Sequence, residues 1–248
     1  MSPVMVVTGA GRGIGAAIAR GAAQRGFAVA VNYARSASEA DAVVQSITAA
    51  GGKAVAIQAD VSTSEGAAHL FAEVDRQLGR VDVLVNNAGI VGPIAKVSAM
   101  PAQELVDAFA INTFSVFYCT GEAVKRMGTS HGGQGGAIIN MSSIAARHGG
   151  MAGETVYAAS KAAVDTLTLG LAKELASEGI RVNAVRPGLI QTTIHAAHGG
   201  DETLKKLAPL VPLGRVGTPE EVAETVLWLA SPGSSYIHGV LLDVSGGR

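Results

Sequence analysis

The strand-length runs of this chain are apolar without a break. Val4–Thr8, Phe27–Tyr33, Lys53–Ala59, Val81–Asn86, Ala137–Ser142, Ile180–Val185 and Val240–Asp243 show no strict apolar–polar alternation. A strand with one face in water must alternate. Unbroken runs are therefore buried on both faces, as in a parallel sheet covered by helices. Segments of helical period lie between them: Gly13–Arg25, Ser38–Ala50 with Ser38 as its N-cap, Ser64–Leu78, about Ala102 to Met127, Val156–Glu178, and Pro219–Ala230 with proline in its first turn. This alternation predicts an α/β fold, a doubly wound parallel seven-stranded sheet with helices on both faces. No linker-like segment divides the 248 residues, so one domain spanning 1–248 is expected.

Composition removes several classes. With 48% hydrophobic residues and a net charge of −1 the chain can bury a core. Its 19 basic and 20 acidic residues nearly cancel, which leaves no electrostatic footprint for nucleic acid. A single Cys makes neither an internal disulfide nor a Cys-rich zinc site, and no His/Asp/Glu spacing suggests a metal. The N-terminus has no basic region before its apolar run, and no apolar stretch approaches the ~18 residues of a membrane span. A cytoplasmic protein without a membrane partner is expected. What stands out is glycine: 32 residues, about 13% of the chain, against roughly 7% ordinarily.

Four of these glycines fall in Thr8-Gly9-Ala10-Gly11-Arg12-Gly13-Ile14-Gly15, between the first strand and the first helix. A turn that carries positive φ, lets a pyrophosphate approach the backbone and packs a helix onto a strand needs glycine. The helix N-terminus then offers free N–H groups to phosphate. Gly9, Gly11, Arg12, Gly13, Ile14 and Gly15 are thus candidate dinucleotide-binding residues, although a methyltransferase loop would read similarly. Binding of an unphosphorylated ribose usually uses an acid about 20 residues on. Here Val31-Asn32-Tyr33-Ala34-Arg35-Ser36 holds none. Arg12 and Arg35 would instead clamp a 2′-phosphate, which favours NADP(H) over NAD(H); the alternative is two surface arginines. Asp60, followed by Val61, ends the third strand and would accept from an adenine amino group or brace a turn.

Tyr157 and Lys161 stand four residues apart at the start of a helical stretch, on one face. A cation about 4 Å from a phenol, at an effective dielectric near 20, is worth about 4 kcal/mol. That would bring a group titrating near pH 10 down towards ~7, where acid–base catalysis operates. Ser142-Ser143 ends the preceding apolar strand, and in open parallel sheets ligands bind at the carboxyl ends of strands.

Together with Asn86-Asn87-Ala88-Gly89, Asn112, Pro187-Gly188 and Asp243-Val244-Ser245-Gly246-Gly247, these motifs make the chain resemble the short-chain dehydrogenase/reductase family in its single-domain form, over essentially the whole length. Within it the chain is similar to bacterial oxidoreductases described as glucose-dehydrogenase-like. The Tyr–Lys pair removes the methyltransferase reading. The resemblance implies a Rossmann fold and an NAD(P)-dependent enzyme that moves a hydride between its cofactor and a carbonyl or secondary alcohol. It implies Tyr157 as general acid/base, with Lys161 lowering its pKa and holding the nicotinamide ribose. It implies Ser143 as the group that orients the substrate oxygen, with Ser142 as a minor alternative, and Asn112 as holder of a water in a proton relay. Asn87, Ala88 and Gly89 would line the cofactor, Pro187 and Gly188 would face the nicotinamide, and Ile190 and Thr192 would bind its carboxamide. Asn87 and Asn112 also have a purely structural alternative. A homotetramer is the family's usual assembly.

Substrate choice is expected in Ala145–Thr155, with His148, Met151 and Glu154, and in a lid of about 189–213, with His195, His198 and Lys205-Lys206. Lys125-Arg126 and Lys205-Lys206 would suit an acidic carrier protein, as in the family's 3-oxoacyl-carrier-protein reductases; short charge pairs are otherwise solvated faces. A non-catalytic dinucleotide sensor on the same fold is the reading from another class. Cys119 is expected in the core, and Gly128–Gly136 has no assigned role.

Overall fold

The computed structural model describes residues 2–192 and 200–248. Seven strands, β1 (Val4–Val7), β2 (Ala28–Tyr33), β3 (Lys53–Gln58), β4 (Val83–Asn86), β5 (Gly136–Met141), β6 (Ile180–Pro187) and β7 (Leu241–Val244), form one sheet in the order β3-β2-β1-β4-β5-β6-β7. Every neighbouring pair is parallel. The helices are α1 (Gly13–Gln24), α2 (Ala37–Ala49), α3 (Ser64–Gln77), α4 (Ala102–Phe109), α5 (Ser115–Met127), α6 (Ala145–His148), α7 (Thr155–Leu175), α8 (Gly200–Leu207) and α9 (Pro219–Ala230). Among the described residues no helix is long and apolar enough to cross a membrane.

The unbroken apolar strands are explained by two cores. On one face, Ile18 of α1, Ile47 of α2 and Val226 of α9 join Met5, Val7, Val29 and Ile139. On the other, Phe71 of α3, Cys119 of α5 and Leu175 of α7 join Val6, Leu84, Ile138 and Val182. Alternate residues of one strand thus feed opposite cores, and both kinds must be apolar. Strand order reverses between β1 and β4, which opens a crevice at their carboxyl ends. At the start of α9, Thr218 Oγ1 accepts from Glu221 N at 3.3 Å while Glu221 Oε2 accepts from Thr218 N at 2.8 Å, a complete capping box.

Several boundaries differ from expectation. Helix α2 begins at Ala37 after Ser36, so Ser38 is not its N-cap. The fourth strand is shorter than expected, and the last is displaced by one residue. The largest difference is in 102–127, where a π turn at Ala110–Phe114 separates α4 from α5. Helical period alone does not reveal a π turn, because one extra residue leaves the apolar pattern on either side intact.

A buried polar chain crosses the sheet centre. Asn86 Nδ2 donates to Asn140 Oδ1 at 2.9 Å, and Asn140 Nδ2 donates to Thr168 Oγ1 at 2.9 Å. It ties β4 and β5 to α7, the helix that bears Tyr157 and Lys161. Asn140→Ala would strip buried partners from Asn86 and Thr168. The expected loss in urea-unfolding free energy is about 1–3 kcal/mol. A loss below ~0.5 kcal/mol, the level of an ordinary surface change, would show that the apolar packing of α7 alone holds it.

Candidate active site

The glycine loop is tied to the end of β4. Thr8 Oγ1 accepts from Asn87 N at 2.9 Å and from Ala88 N at 3.0 Å. Asn87 Nδ2 donates back to Thr8 O at 2.8 Å and Gly9 O at 3.0 Å. From the other side, Gly9 N donates to Asn32 Oδ1 at 3.2 Å, while Asn32 Nδ2 donates to the Ala59 carbonyl at 3.0 Å. A Cβ on Gly15 would lie 2.5 Å from Asn87 Nδ2 and 2.6 Å from Gly9 O, so only glycine admits this tether. Asn87 is therefore a structural clamp that also lines the cleft. Asn32 was not recognisable from sequence as part of the loop, since a polar residue at a strand end gives no sign of its partner.

Arg12 directly precedes α1, is exposed, and stands 4.0 Å from Glu39 Oε2. Gly11 packs against Glu39 and Ala40 in the first turn of α2, and the turn before that helix carries exposed Arg35. Arg12 and Arg35 thus flank the same edge of the loop, where an adenine ribose phosphate would be met by cations and by Glu39. Asp60 Oδ1 accepts from Ser62 N at 3.0 Å and Ser62 Oγ at 2.6 Å, so it braces a turn at this edge. The Val61 side chain is buried in the core with Leu70 and Phe71; it does not reach the crevice, and only its backbone is available to a nucleotide.

At the opposite end of the crevice, Ile14, Gly89, Pro187, Gly188, Ile190 and Thr192 line one cleft. Thr192 Oγ1 is buried there and has no hydrogen-bond partner among the described residues. An unpaired buried hydroxyl at this place fits the carboxamide of a nicotinamide.

Ser143 and Tyr157 share this cleft. Ser143 follows β5, accepts from Ala145 N at 3.1 Å, and works to lower the pKa of the phenol. Ser142 turns the other way, its Oγ donating to the Lys161 carbonyl at 3.1 Å, which favours Ser143 as the substrate-facing member. Burial raises the Tyr157 pKa above its ordinary value, Ser143 opposes this, and Glu154 adds to it. The buried Nζ of Lys161 donates to the Met141 carbonyl at 2.8 Å, and burial lowers the ammonium to about 8, with Asp165 opposing.

Asn112 sits inside the π turn. Its Nδ2 donates to Ile90 O at 2.9 Å and to Ser160 Oγ at 3.0 Å, and its Oδ1 accepts from Ile90 N at 2.8 Å. The amide thus braces both the chain after β4 and α7. One Oδ1 lone pair is left, directed at Gly89. A Cβ on Gly89 would lie 3.1 Å from Asn112 Oδ1 and 3.2 Å from Lys161 Nζ. The missing side chain lets the backbone of Gly89 pass close to both the amide and the ammonium. Ser160, the partner that joins Asn112 to α7, was missed by sequence reasoning because a serine in a helix carries no signal of its own.

His148, Met151 and Glu154 line the cleft as expected, and so does Arg248, which the sequence did not single out. His195 and His198 lie outside the described residues. Cys119 is in the core, its thiol pushed up to about 12 by burial. The basic pair Lys125-Arg126 is matched by the chain's own acids, with Lys125–Glu122 at 2.7 Å, Arg126–Glu122 at 2.8 Å and Arg126–Asp75 at 2.7 Å. Lys206 pairs with Glu202 at 3.0 Å.

Gly89→Ala should set a methyl group against the Asn112 amide and the Lys161 ammonium. A displacement near 1 Å at a reacting centre costs up to about 100-fold, so kcat should fall roughly 10- to 100-fold while nucleotide affinity changes less. Unchanged kcat would mean that this close approach has no part in turnover.

A family model described as Enoyl-(Acyl carrier protein) reductase matches residues 9–248. An Escherichia coli K12 protein named "Uncharacterized oxidoreductase YgfF" is 43% identical over 245 residues, covering 99% of both chains. The 3-oxoacyl-[acyl-carrier-protein] reductase FabG of Staphylococcus aureus is 42% identical over 247 residues, covering 100% of this chain and 98% of that one. The solved short-chain dehydrogenase/reductase from Serratia marcescens BCRC 10948 superposes with a TM-score of 0.91 at 38% identity, covering 99% of this chain and 97% of that chain. With its parallel Rossmann-like sheet and its Ser–Tyr–Lys cleft at the strand ends, the chain belongs to the short-chain dehydrogenase/reductase family of oxidoreductases.

Proposed function

We propose that this protein is an NADP-dependent oxidoreductase acting on a carbonyl/secondary alcohol pair, with Tyr157 as general acid/base. The observation that carries this reading is the cleft at the strand ends, in which Ser143, Tyr157 and Lys161 come together beside Gly188, Ile190 and Thr192. Burial raises the Tyr157 pKa, which favours the protonated phenol. A protonated phenol is the form a general acid needs when a carbonyl oxygen becomes an alkoxide. Bound in the cleft, the nicotinamide would supply or accept the hydride.

The rest of the chemistry belongs to the chain's own side chains. Ser143 donates to the carbonyl oxygen, and Tyr157 delivers its proton to the same atom as charge develops there. Lys161, freed on two of its protons from Met141, holds ribose hydroxyls and replaces the phenol proton past Gly89. Asn112 fixes that path by bracing the π turn against α7. Thr192, Ile190 and Gly188 hold the carboxamide end, and Gly9 to Gly15 present the α1 N-terminus to the pyrophosphate. Arg12 and Arg35 bind the 2′-phosphate.

The same reading proposes a cytoplasmic homotetramer. Val106, Phe114, Phe117 and Leu169 are large apolar side chains exposed on α4, the π turn, α5 and α7, and a second copy would cover them. A 3-oxoacyl-carrier-protein reductase is the second reading, favoured by the 42% identity to relatives of that name. Against it stands the pairing of Lys125 and Arg126 with Glu122 and Asp75, which leaves little free positive charge for an acidic carrier.

A panel of carbonyl and alcohol substrates, including an acetoacetyl thioester, followed by NADPH absorbance in both directions, tests this reading. Tyr157→Phe should lower turnover on any substrate found by about 10²–10⁴-fold, and retained turnover would refute the mechanism. Nucleotide binding with no turnover across the panel would favour a sensor. Arg35→Ala should weaken NADPH by at least roughly tenfold, the value of one charge-assisted hydrogen bond, and leave NADH affinity nearly unchanged. Equal effects on the two nucleotides would remove Arg35 from the 2′-phosphate site.

A further inference from the structure

Behind Lys161, away from the cleft, lies a row of charged side chains to which the reaction gives no part. Asp165 follows Lys161 by four residues on α7, hence one turn on and on the same face. Both side chains are buried. Asp165 Oδ2 is 3.4 Å from Arg186 Nη1 on β6, and Asp165 Oδ1 is buried with no hydrogen-bond partner. Arg186 Nε donates to Asp243 Oδ1 on β7 at 2.5 Å, and Asp243 Oδ2 takes Arg147 of α6 at 3.0 Å. From the buried ammonium outwards the signs alternate: Lys161 positive, Asp165 negative, Arg186 positive, Asp243 negative, Arg147 positive.

We propose that Asp165 is a positioning residue for Lys161, the buried counter-charge that keeps the ammonium protonated and separates it from the guanidinium of Arg186. This rests on the reading of Lys161 as the group that holds the cofactor ribose. A buried cation is costly unless a partner compensates it. Among the described residues, Lys161 Nζ donates to a neutral carbonyl, that of Met141. The charge that opposes its desolvation is on Asp165. Without that carboxylate, Lys161 would lose the opposite charge one turn along α7 and Arg186 its partner at 3.4 Å.

The other charged and titratable groups nearby do not replace it. Tyr157 and Glu154 lie at the start of α7, on the cleft side, and the phenol is protonated. His148 of α6 is exposed. Asp243 is held between Arg186 and Arg147. Ser142 Oγ donates to the Lys161 carbonyl at 3.1 Å, so the end of β5 is tied to α7 at the turn that leads from Lys161 to Asp165. Burial raises the Asp165 pKa, while Ser142 and Arg186 work to keep it ionised.

The test is the pH dependence of NADPH affinity, read by nucleotide fluorescence, which needs no substrate. The wild-type protein should bind NADPH with an alkaline inflection, and Lys161→Met should abolish that inflection. In Asp165→Asn the inflection should move down by about one pH unit, a tenfold change in the ionisation constant of the ammonium. Asp165→Glu should return it most of the way. Asp243→Asn should move it in the same direction by less, because Arg186 is then less compensated, and this variant serves if Asp165→Asn does not fold. A stability loss with the inflection unmoved in both Asn variants would overturn the proposal and leave Asp165 a structural residue. Absence of NADPH binding, or an inflection that survives Lys161→Met, would instead overturn the underlying role of Lys161.

Discussion

The site depends on one close approach. Because Gly15 has no side chain, the Asn87 amide can reach across the crevice and bond the carbonyls of Thr8 and Gly9. That contact joins β1 to β4 at the point where the strand order turns round. Thr8 repeats the join in the opposite direction, accepting from the backbone of Asn87 and Ala88. The glycine loop and the end of β4 are thus set against each other by neutral, partly buried hydrogen bonds, where leaving one unmade is costly.

The chemical end is held by the same kind of device. Tyr157 and Lys161 share one helix, but Ser143 comes from a strand end and Asn112 from a π turn. Asn86, Asn140 and Thr168 fix α7 against the sheet, while Ser160 ties it to Asn112. Apolar packing alone allows a helix to slide or roll by small amounts. A polar chain with fixed donors and acceptors does not, and a reaction that needs its oxygen atoms within a few tenths of an ångström of position has use for that stiffness.

The legible parts of the molecule were those that depend on period and spacing. Unbroken apolar strands revealed a doubly covered parallel sheet because each strand must feed two cores. Thr8–Gly15 and Tyr157–Lys161 were legible as a loop that leads into α1 and as a pair on one face of α7, because turns and helices need particular residue types at particular intervals. Arg248 could not be read this way, since it meets the cleft only through the folding back of the chain. Spacing puts Lys161 and Tyr157 on one helix face, but it does not reveal the Met141 carbonyl that takes the ammonium or the burial that raises the phenol's pKa. The unassigned segment Gly128–Gly136 proves to be a tight connection at the far end of β5: a Cβ on Gly135 would lie 2.2 Å from the Gly179 carbonyl oxygen. Its glycines answer to close packing, away from the cleft.

The strand order also has a consequence for synthesis. β1 is central, yet one of its two neighbours, β4, lies far along the chain, and Val4 N must find Asp82 Oδ2 across 78 positions. At a ribosomal rate of ~5–20 residues per second, β1 keeps one open edge for roughly 4–15 s while β2 and β3 are already available to it. An apolar parallel edge exposed for that long is an aggregation hazard. The nascent chain therefore passes through a stage in which the glycine loop exists but the Asn87 clamp does not, and the half that grips the nucleotide is complete only when β4 emerges.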